Sequence, residues 1–160
     1  MGIPCSVFTI RDEVDLRIVQ LLEENGRISH EEISKLLHIS RPAVHQRVAK
    51  LEKNGVIKGY RGIIDWRKLE QRLKVLIFVK ARCQDFKEIT AKIMSVQVPN
   101  VTIIECQRLA GEWCMMLKVR ATAPEDITNL IDEMVQYNEI LETSTTFILS
   151  TIYEDGRKEI

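Results

Sequence analysis

The sequence predicts an α+β fold with two domains: an N-terminal helix-turn-helix (winged-helix-like) domain, joined by a β-strand linker to a ferredoxin-like βαββαβ domain. The chain has 160 residues, enough for two small domains of about 60 to 90 residues each. In the first third, apolar residues recur at three- and four-residue intervals, which indicates amphipathic helices. From Leu73 on, strand-like and helix-like stretches alternate in the order βαββαβ, which is typical of a split, ferredoxin-like sheet.

The domain boundaries follow from changes in pattern. We place the helix-turn-helix domain at residues 1–60, the linker strand and hinge at 61–72, and the βαββαβ domain at 73–160. The stretch "VIKGYRGIID" is rich in β-forming residues and predicts a strand that leaves the helical domain. The polar "WRKLEQR" that follows predicts the hinge.

Capping residues predict three helices in the first domain. Asp12 resembles an N-cap, and the helix that it opens ends at "ENGR". Ser29 and Glu32 have the spacing of a capping box, which predicts a short second helix. Ser40 is a favourable N-cap for the third helix, and Pro42 falls in its first turn, where a missing N–H does no harm. The last two helices are joined by about three residues, which is helix-turn-helix spacing.

The second domain is predicted to be a sheet with apolar residues on both faces. Its predicted strands are "LKVLIFVKARC", "NVTIIECQRL", "WCMMLKVRA" and "ILETSTTFILSTIYE", and its predicted helices are "FKEITAKIMSVQ" and "PEDITNLIDEMVQY". Two helices can cover only one face of a four-stranded sheet. On the first strand Val75 and Ile77 point one way while Leu76 and Phe78 point the other. An open apolar face calls for a partner, so we expect a sheet-to-sheet homodimer.

Charge is unevenly distributed along the chain. The net charge is zero, yet residues 40–61 carry six basic side chains and one acidic one, while residues 124–160 carry two basic and nine acidic ones. A basic segment in an otherwise acidic chain favours a polyanionic partner such as double-stranded DNA.

The sequence shows no sign of a metal or cofactor site, of a membrane span or of a secretory signal. The four cysteines show no C-x-x-C spacing and do not group with the three histidines, so we expect reduced thiols, no metal site and no cofactor. No apolar run approaches the roughly 20 residues of a membrane span, and no secretory signal is evident. We therefore expect a cytoplasmic protein with no membrane partner.

The third helix has the features of a helix that lies in the major groove of DNA. Val44, Val48 and Leu51 form its buried stripe, and the opposite face combines small residues, hydrogen-bond donors and cations without a carboxylate. The residues we expect at DNA on this basis are Ser40, Arg41, His45, Gln46, Arg47 and Lys50.

Arg47 has two interpretations. It lies close to the buried stripe rather than opposite to it. It could contact a phosphate, or it could form a structural ion pair with Glu52 or with an acidic residue of the first helix, and the sequence leaves the two about equally favoured.

These segments resemble the Lrp/AsnC family of transcription regulators, also called feast/famine regulatory proteins. The matching stretches are "DEVDLRIVQLLEENGRIS", "ISRPAVHQRVAKLEKNGVIKGY" and, more weakly, "RLAGEWCMML" and "LETSTTFIL". The resemblance implies an N-terminal domain that binds DNA and a C-terminal domain that oligomerises. It also implies dimers that assemble into octamers, and small effectors, usually amino acids, that bind between dimers.

The resemblance also implies an effector site at the turn after the second predicted strand and at hydroxyls of the last one. Carried over to this chain, its residues are Gly111, Glu112, Trp113, Cys114, Ser144 and Thr146. Many family members have G-x-Y-D at this turn, whereas this chain has Gly111-Glu112-Trp113-Cys114. The missing aspartate is a natural partner for the ammonium group of an amino acid, so the identity of the effector is open. Glu112 could replace it from one residue away.

The leading hypothesis is therefore a sequence-specific DNA-binding transcription regulator without catalytic activity, which senses a small effector such as an amino acid. One alternative is an architectural protein that wraps DNA without responding to an effector. The other is an enzyme like the sirohaem decarboxylases, which resemble this layout. Such chemistry on a tetrapyrrole would be expected to use histidine and arginine. All three histidines lie before Gln46, so the second domain lacks the histidine.

Overall fold

The computed structural model describes residues 12–82, 86–154 and 157–158. The chain divides into two compact units, one ending at Ile63 and one beginning at Ile64. None of the helices in the described ranges is long and apolar enough to cross a membrane.

The first unit contains the three predicted helices: α1 (Glu13–Glu24), α2 (His30–Leu37) and α3 (Arg41–Lys53). Each begins where a capping side chain accepts a backbone N–H. Asp12 accepts from Val14 at 2.8 Å, and Ser29 and Glu32 form the complete, reciprocal capping box. The helices share one core, in which the most buried side chains are Ile18, Ile33, Val44, Val48 and Leu51.

The turn between α2 and α3 contains a residue in the left-handed conformation. His38 has φ 54° and ψ 39°, and its backbone N–H bonds to the carbonyl of Ser34. Its side chain is exposed. Left-handed backbone is costly for residues with a Cβ atom, so the tight turn carries local strain.

The predicted linker strand is wrong. Residues 58–65 belong to no strand, and a short 3-10 helix (Trp66–Leu69) follows them, with Asp65 as its N-cap. β-Forming residues favour an extended backbone, but a strand also needs a hydrogen-bonded neighbour. The 3-10 helix belongs to the second unit, in which the guanidinium of Arg120 lies 4.1 Å from the ring centroid of Trp66.

The second unit has the predicted βαββαβ order. Its elements are β1 (Leu73–Ala81), α4 (Phe86–Ser95), β2 (Val101–Arg108), β3 (Met115–Ala121), α5 (Pro124–Met134) and β4 (Ile140–Phe147). The strands pair antiparallel in the order β2-β3-β1-β4. Both helices pack on the same face of the sheet, where Val75, Ile77 and Val79 of β1 are fully buried.

The other face, which we call the open face, carries Leu76 and Phe78 of β1 and Met116 of β3, all only half-buried in the single chain. Alternation along the strands therefore places apolar side chains on both faces, as predicted.

The last strand is shorter than predicted. β4 pairs with β1 as far as Phe147, opposite Val75. One further backbone hydrogen bond joins the N–H of Ile148 to the carbonyl of Lys74 at 2.9 Å before the chain leaves the sheet. The chain then forms a small hairpin of β5 (Tyr153–Glu154) and β6 (Arg157–Lys158).

An ion-pair cluster holds this C-terminal hairpin against the open face. The carboxylate of Glu154 accepts hydrogen bonds from Lys74 at 2.5 Å and from Lys118. These two lysines, Lys118 first, lower the pKa of Glu154 to about 2. The hairpin therefore covers one end of the open face while Glu154 is ionised.

Candidate DNA interface and effector site

The inner face of α3 packs into the core of the first unit, and the opposite, outer face is exposed. Val44 and Leu51 are completely buried and Val48 is nearly so. The helix begins at Ser40, whose hydroxyl accepts the N–H of Ala43 at 3.3 Å. Of the residues predicted to lie at DNA, Ser40, Arg41, His45, Gln46 and Lys50 are exposed. They extend over about three turns of helix, with the hydroxyl of Ser40 and the guanidinium of Arg41 at the N-terminal end.

Arg47 is the exception. Its Nη1 donates to Asp15 Oδ1 at 2.6 Å and to Asp12 Oδ2 at 2.7 Å. Asp12 and Asp15 raise the pKa of Arg47, and Arg47 in turn lowers the pKa of Asp12. Of the two interpretations of this arginine, the structure shows the ion pair with acidic residues of α1. In this structure Arg47 is therefore engaged in an ion pair within the first unit, in place of the predicted contact with DNA.

One flank of α3 borders a small cleft in the first unit. His45, Ala49 and Glu52 line it from α3, and the hydroxyl of Tyr60 closes it by donating to Glu52 at 3.0 Å. Burial, followed by the contact with Glu52, raises the pKa of Tyr60. His30, the first residue of α2, lies across the cleft with its ring centroid 5.5 Å from that of His45.

The turn predicted to bind an effector connects β2 to β3. Its backbone is closed by a hydrogen bond from the N–H of Leu109 to the carbonyl of Cys114 at 2.9 Å. Gly111 has φ +133°, a conformation that residues with a Cβ atom rarely adopt. The role of this glycine in the turn is therefore conformational and needs no ligand.

The turn is fixed to the end of the open face by two side chains. The ring of Trp113 lies 6.3 Å from that of Phe78, centroid to centroid. The carboxylate of Glu112 accepts from Lys80 Nζ at 3.1 Å, and Glu142 of β4 lies 3.6 Å from the same nitrogen. Glu112, and less strongly Glu142, raise the pKa of Lys80. Glu112 thus already has a cationic partner in the chain.

Cys114 lies where the family's aspartate would be, but its thiol faces the backbone of β1. Its Sγ donates to the carbonyl of Val79 at 3.3 Å and accepts the N–H of Ala81 at 3.2 Å. A side chain satisfied in this way is occupied within the sheet. We therefore correct the predicted role of Cys114 from ligand contact to a link between β3 and β1.

The two predicted hydroxyls lie on the open face. Ser144 is opposite Phe78 and Thr146 is opposite Leu76 in the β1–β4 pairing. Ser144 is half-buried and Thr146 is exposed. The structure therefore brings Trp113 and Ser144 together around Phe78, while Thr146 lies two residues further along the strand.

Four side chains in these two regions were not found from the sequence: His30, Phe78, Lys80 and Glu142. The register of β1 against β4 aligns Lys80 with Glu142, and a sequence alone does not give that register. His30 lies between Ser29 and Glu32 of the capping box, and its neighbour His45 is 15 positions away in the sequence. In the described ranges, no three His, Cys, Asp or Glu side chains are grouped as metal ligands would be.

Comparisons with known proteins cover both units. The family model described as winged helix-turn-helix DNA-binding matches residues 11–58, and the model described as Lrp/AsnC ligand binding domain matches residues 74–157. The transcriptional regulator LysM of Sulfurisphaera tokodaii is 34% identical over 139 residues, which are 86% of this chain and 94% of that protein. LrpC of Bacillus subtilis is 30% identical over 88% of this chain and 93% of its own length.

Solved structures show the same fold. The structure of Bacillus subtilis LrpC superposes with a TM-score of 0.77, covering 89% of this chain and 96% of that one at 30% identity. A transcriptional regulator from Neisseria meningitidis, solved as a complex with L-methionine, gives a TM-score of 0.80 at 23% identity, covering 89% of this chain and 92% of that one.

Proposed function

The chain belongs to the Lrp/AsnC family of transcription regulators, and from that membership we propose which residues of each unit carry the function. The protein is a DNA-binding transcription regulator with a ligand-binding domain, not an enzyme. The DNA-binding model covers the three helices of the first unit, and the ligand-binding model covers the sheet of the second.

We propose that α3 lies in the major groove, with Ser40, Arg41, His45, Gln46 and Lys50 toward DNA. The observation that carries this proposal is the exposed outer face of α3, which combines donors and cations while the inner face is buried. The one carboxylate of α3, Glu52, accepts a hydrogen bond from Tyr60 at the edge of this face. Gln46 can pair with adenine through two hydrogen bonds, and Arg41 and Lys50 can contact phosphates or guanine. Acting on DNA, the protein would work in the cytoplasm.

The test is a gel shift on the DNA upstream of the protein's own gene. Because each phosphate contact adds about one unit to the salt dependence of binding, the Arg41→Ala/Lys50→Ala variant should bind more weakly and with a flatter slope. The matched control, Lys68→Ala/Arg72→Ala, removes the same charge from exposed positions of the second unit and should bind as the wild type does. Equal losses in both variants would contradict the assignment.

We propose that a small effector, with an amino acid as the first candidate, binds at the end of the open face beside Trp113, Glu112 and Ser144. Support comes from the match to a ligand-binding domain and from the aromatic pair of Trp113 and Phe78 next to a hydroxyl and a charged cluster. The relative in fold that holds L-methionine makes this amino acid a suitable first probe.

Two observations favour the alternative of an architectural protein that does not respond to an effector. Cys114 has replaced the expected aspartate and Glu112 is already paired with Lys80. An effector-sensing regulator and an architectural protein are distinguished by titrating a panel of amino acids while recording tryptophan fluorescence, with Trp113→Phe as control. The gel shift is repeated with each amino acid present. A change that is lost in the control supports sensing. DNA binding that no amino acid alters would favour the architectural protein.

We further propose that two copies pair through the open face and that these homodimers assemble into octamers. The half-buried apolar side chains Leu76, Phe78 and Met116 support the dimer, since a single chain leaves them in contact with water. The octamer rests on the resemblance to the family.

A further inference from the structure

Two of the three histidines of the chain lie side by side at the edge of α3. The ring centroids of His30 and His45 are 5.5 Å apart and the rings are tilted by 52°. His30 is the first residue of α2, and His45 lies on the exposed flank of α3. The third histidine, His38, lies in the turn between the two helices.

The carboxylates around this pair each have a partner of their own. On α2, Glu32 accepts from Ser29 within the capping box, and Glu31 pairs with Lys35 at 2.8 Å. On α3, Glu52 accepts from Tyr60. The end of α1 adds Leu22 to the lining of the cleft.

A permanent cation lies on the same flank. Arg41 precedes His45 by one turn of α3. Lys35, and more weakly Arg41, lower the pKa of Glu31 of α2. Arg41 therefore adds positive charge to the flank of α3 that carries His45.

The inference about this histidine pair rests on the proposed placement of α3 in the major groove. When a helix lies in the groove, the phosphates of the bordering strands run along its flanks, and the helix before it crosses the backbone. His30 and His45 come from those two helices. We propose that they form a two-imidazole site for a DNA phosphate, and that DNA binding is coupled to proton uptake at this site.

The coupling follows from electrostatics. A DNA phosphate beside both rings attracts the protonated, cationic form of each imidazole and not the neutral form. By linkage, affinity for DNA then rises as the pH falls through the range near 6.5 where histidine ordinarily titrates. We expect an increase on the order of tenfold between pH 8 and pH 6.

The test measures the affinity of the full chain for DNA at constant ionic strength. A fluorescently labelled duplex from the protein's own upstream region is titrated at pH 6, 7 and 8, and anisotropy is recorded. The same series with a duplex of unrelated sequence reports the phosphate contribution. The variants are His30→Gln and His45→Gln, with His38→Asn as the matched control, because asparagine tolerates the left-handed backbone at that turn.

The expected result is that His30→Gln removes most of the pH dependence on both duplexes and lowers the salt slope at pH 6 by about one unit. His45→Gln should do the same, and His38→Asn should retain the wild-type profile. Wild-type binding that does not change with pH, or a His30→Gln variant that keeps the full pH dependence, overturns the inference. Absence of DNA binding at every pH would instead contradict the proposed function.

Discussion

Arg47 of α3 donates to the carboxylate of Asp15 of α1 across 2.6 Å, and Asp15, at 5% exposure, is the one buried charged residue in the described ranges. The bond joins the helix proposed to contact DNA to the first helix of the same unit. A guanidinium is a suitable partner here because it can serve Asp12 and Asp15 at once.

Replacing Arg47 by methionine should lower stability more than it lowers affinity for DNA. The change leaves the buried carboxylate of Asp15 without its cation, which we expect to cost about 2–3 kcal/mol of unfolding free energy. Urea unfolding followed by circular dichroism measures the loss. Arg41→Met, which removes an exposed cation from the start of the same helix, is the control and should change stability little. A stable Arg47→Met variant with sharply weaker DNA binding would restore Arg47 as a phosphate contact.

Glycine at position 38 should stabilise the first unit. His38 adopts φ 54° with an exposed side chain, and glycine reaches this conformation without the Cβ penalty. Because glycine also makes the unfolded chain more flexible, we expect a net gain of about 0.5–1 kcal/mol for His38→Gly. Thermal unfolding measures it. His38→Val, with a branched Cβ, should be less stable than the wild type, and the opposite order of the two variants would show that the turn is unstrained.

The C-terminal hairpin should lose its attachment in acid. The pKa of Glu154 is lowered to about 2 by Lys118 and Lys74, so it lies below the ordinary glutamate value of the unfolded chain. The stabilisation is then complete above about pH 4.5 and is lost as the pH falls toward 2.

Glu154→Gln should therefore lower stability by about 1–2 kcal/mol at pH 7. Its difference from the wild type should shrink below about pH 4.5. Unfolding curves at pH 7, 5 and 3 test this. Glu133→Gln, on the exposed surface of α5, is the control. A deficit for Glu154→Gln that stays constant across this range would mean that lost packing, rather than lost charge, causes it.

A charge on the open face should separate the proposed dimer. Phe78 is half-buried in the single chain and lies near the middle of β1. Phe78→Glu would place a carboxylate in the proposed interface, where pairing would have to remove it from water. We expect light scattering to give the mass of one chain for this variant. Val135→Glu, at an apolar position that is 48% exposed just after α5, should keep the wild-type mass. A wild-type protein with the mass of a single chain would contradict the dimer itself.

Local signals in the sequence predicted most of the architecture. The capping box of Ser29 and Glu32 and the stripe of Val44, Val48 and Leu51 are confirmed, because a cap and a helical stripe depend on residues three or four positions apart. The order βαββαβ is confirmed for the same reason, since alternation and helical spacing are read within one segment. The prediction of a linker strand was wrong because strand formation depends on hydrogen bonding to a neighbour that can be distant in the sequence.

The sequence by itself therefore determined the three helices, the βαββαβ order of elements along the second domain, the exposed face of α3 and the family. Only the tertiary structure decided that Arg47 pairs with Asp15 and that the thiol of Cys114 faces β1. It also brought His30 beside His45. The physical reason is distance along the chain. Arg47 and Asp15 are 32 residues apart, and which of several acidic residues meets one arginine is fixed only when the helices pack.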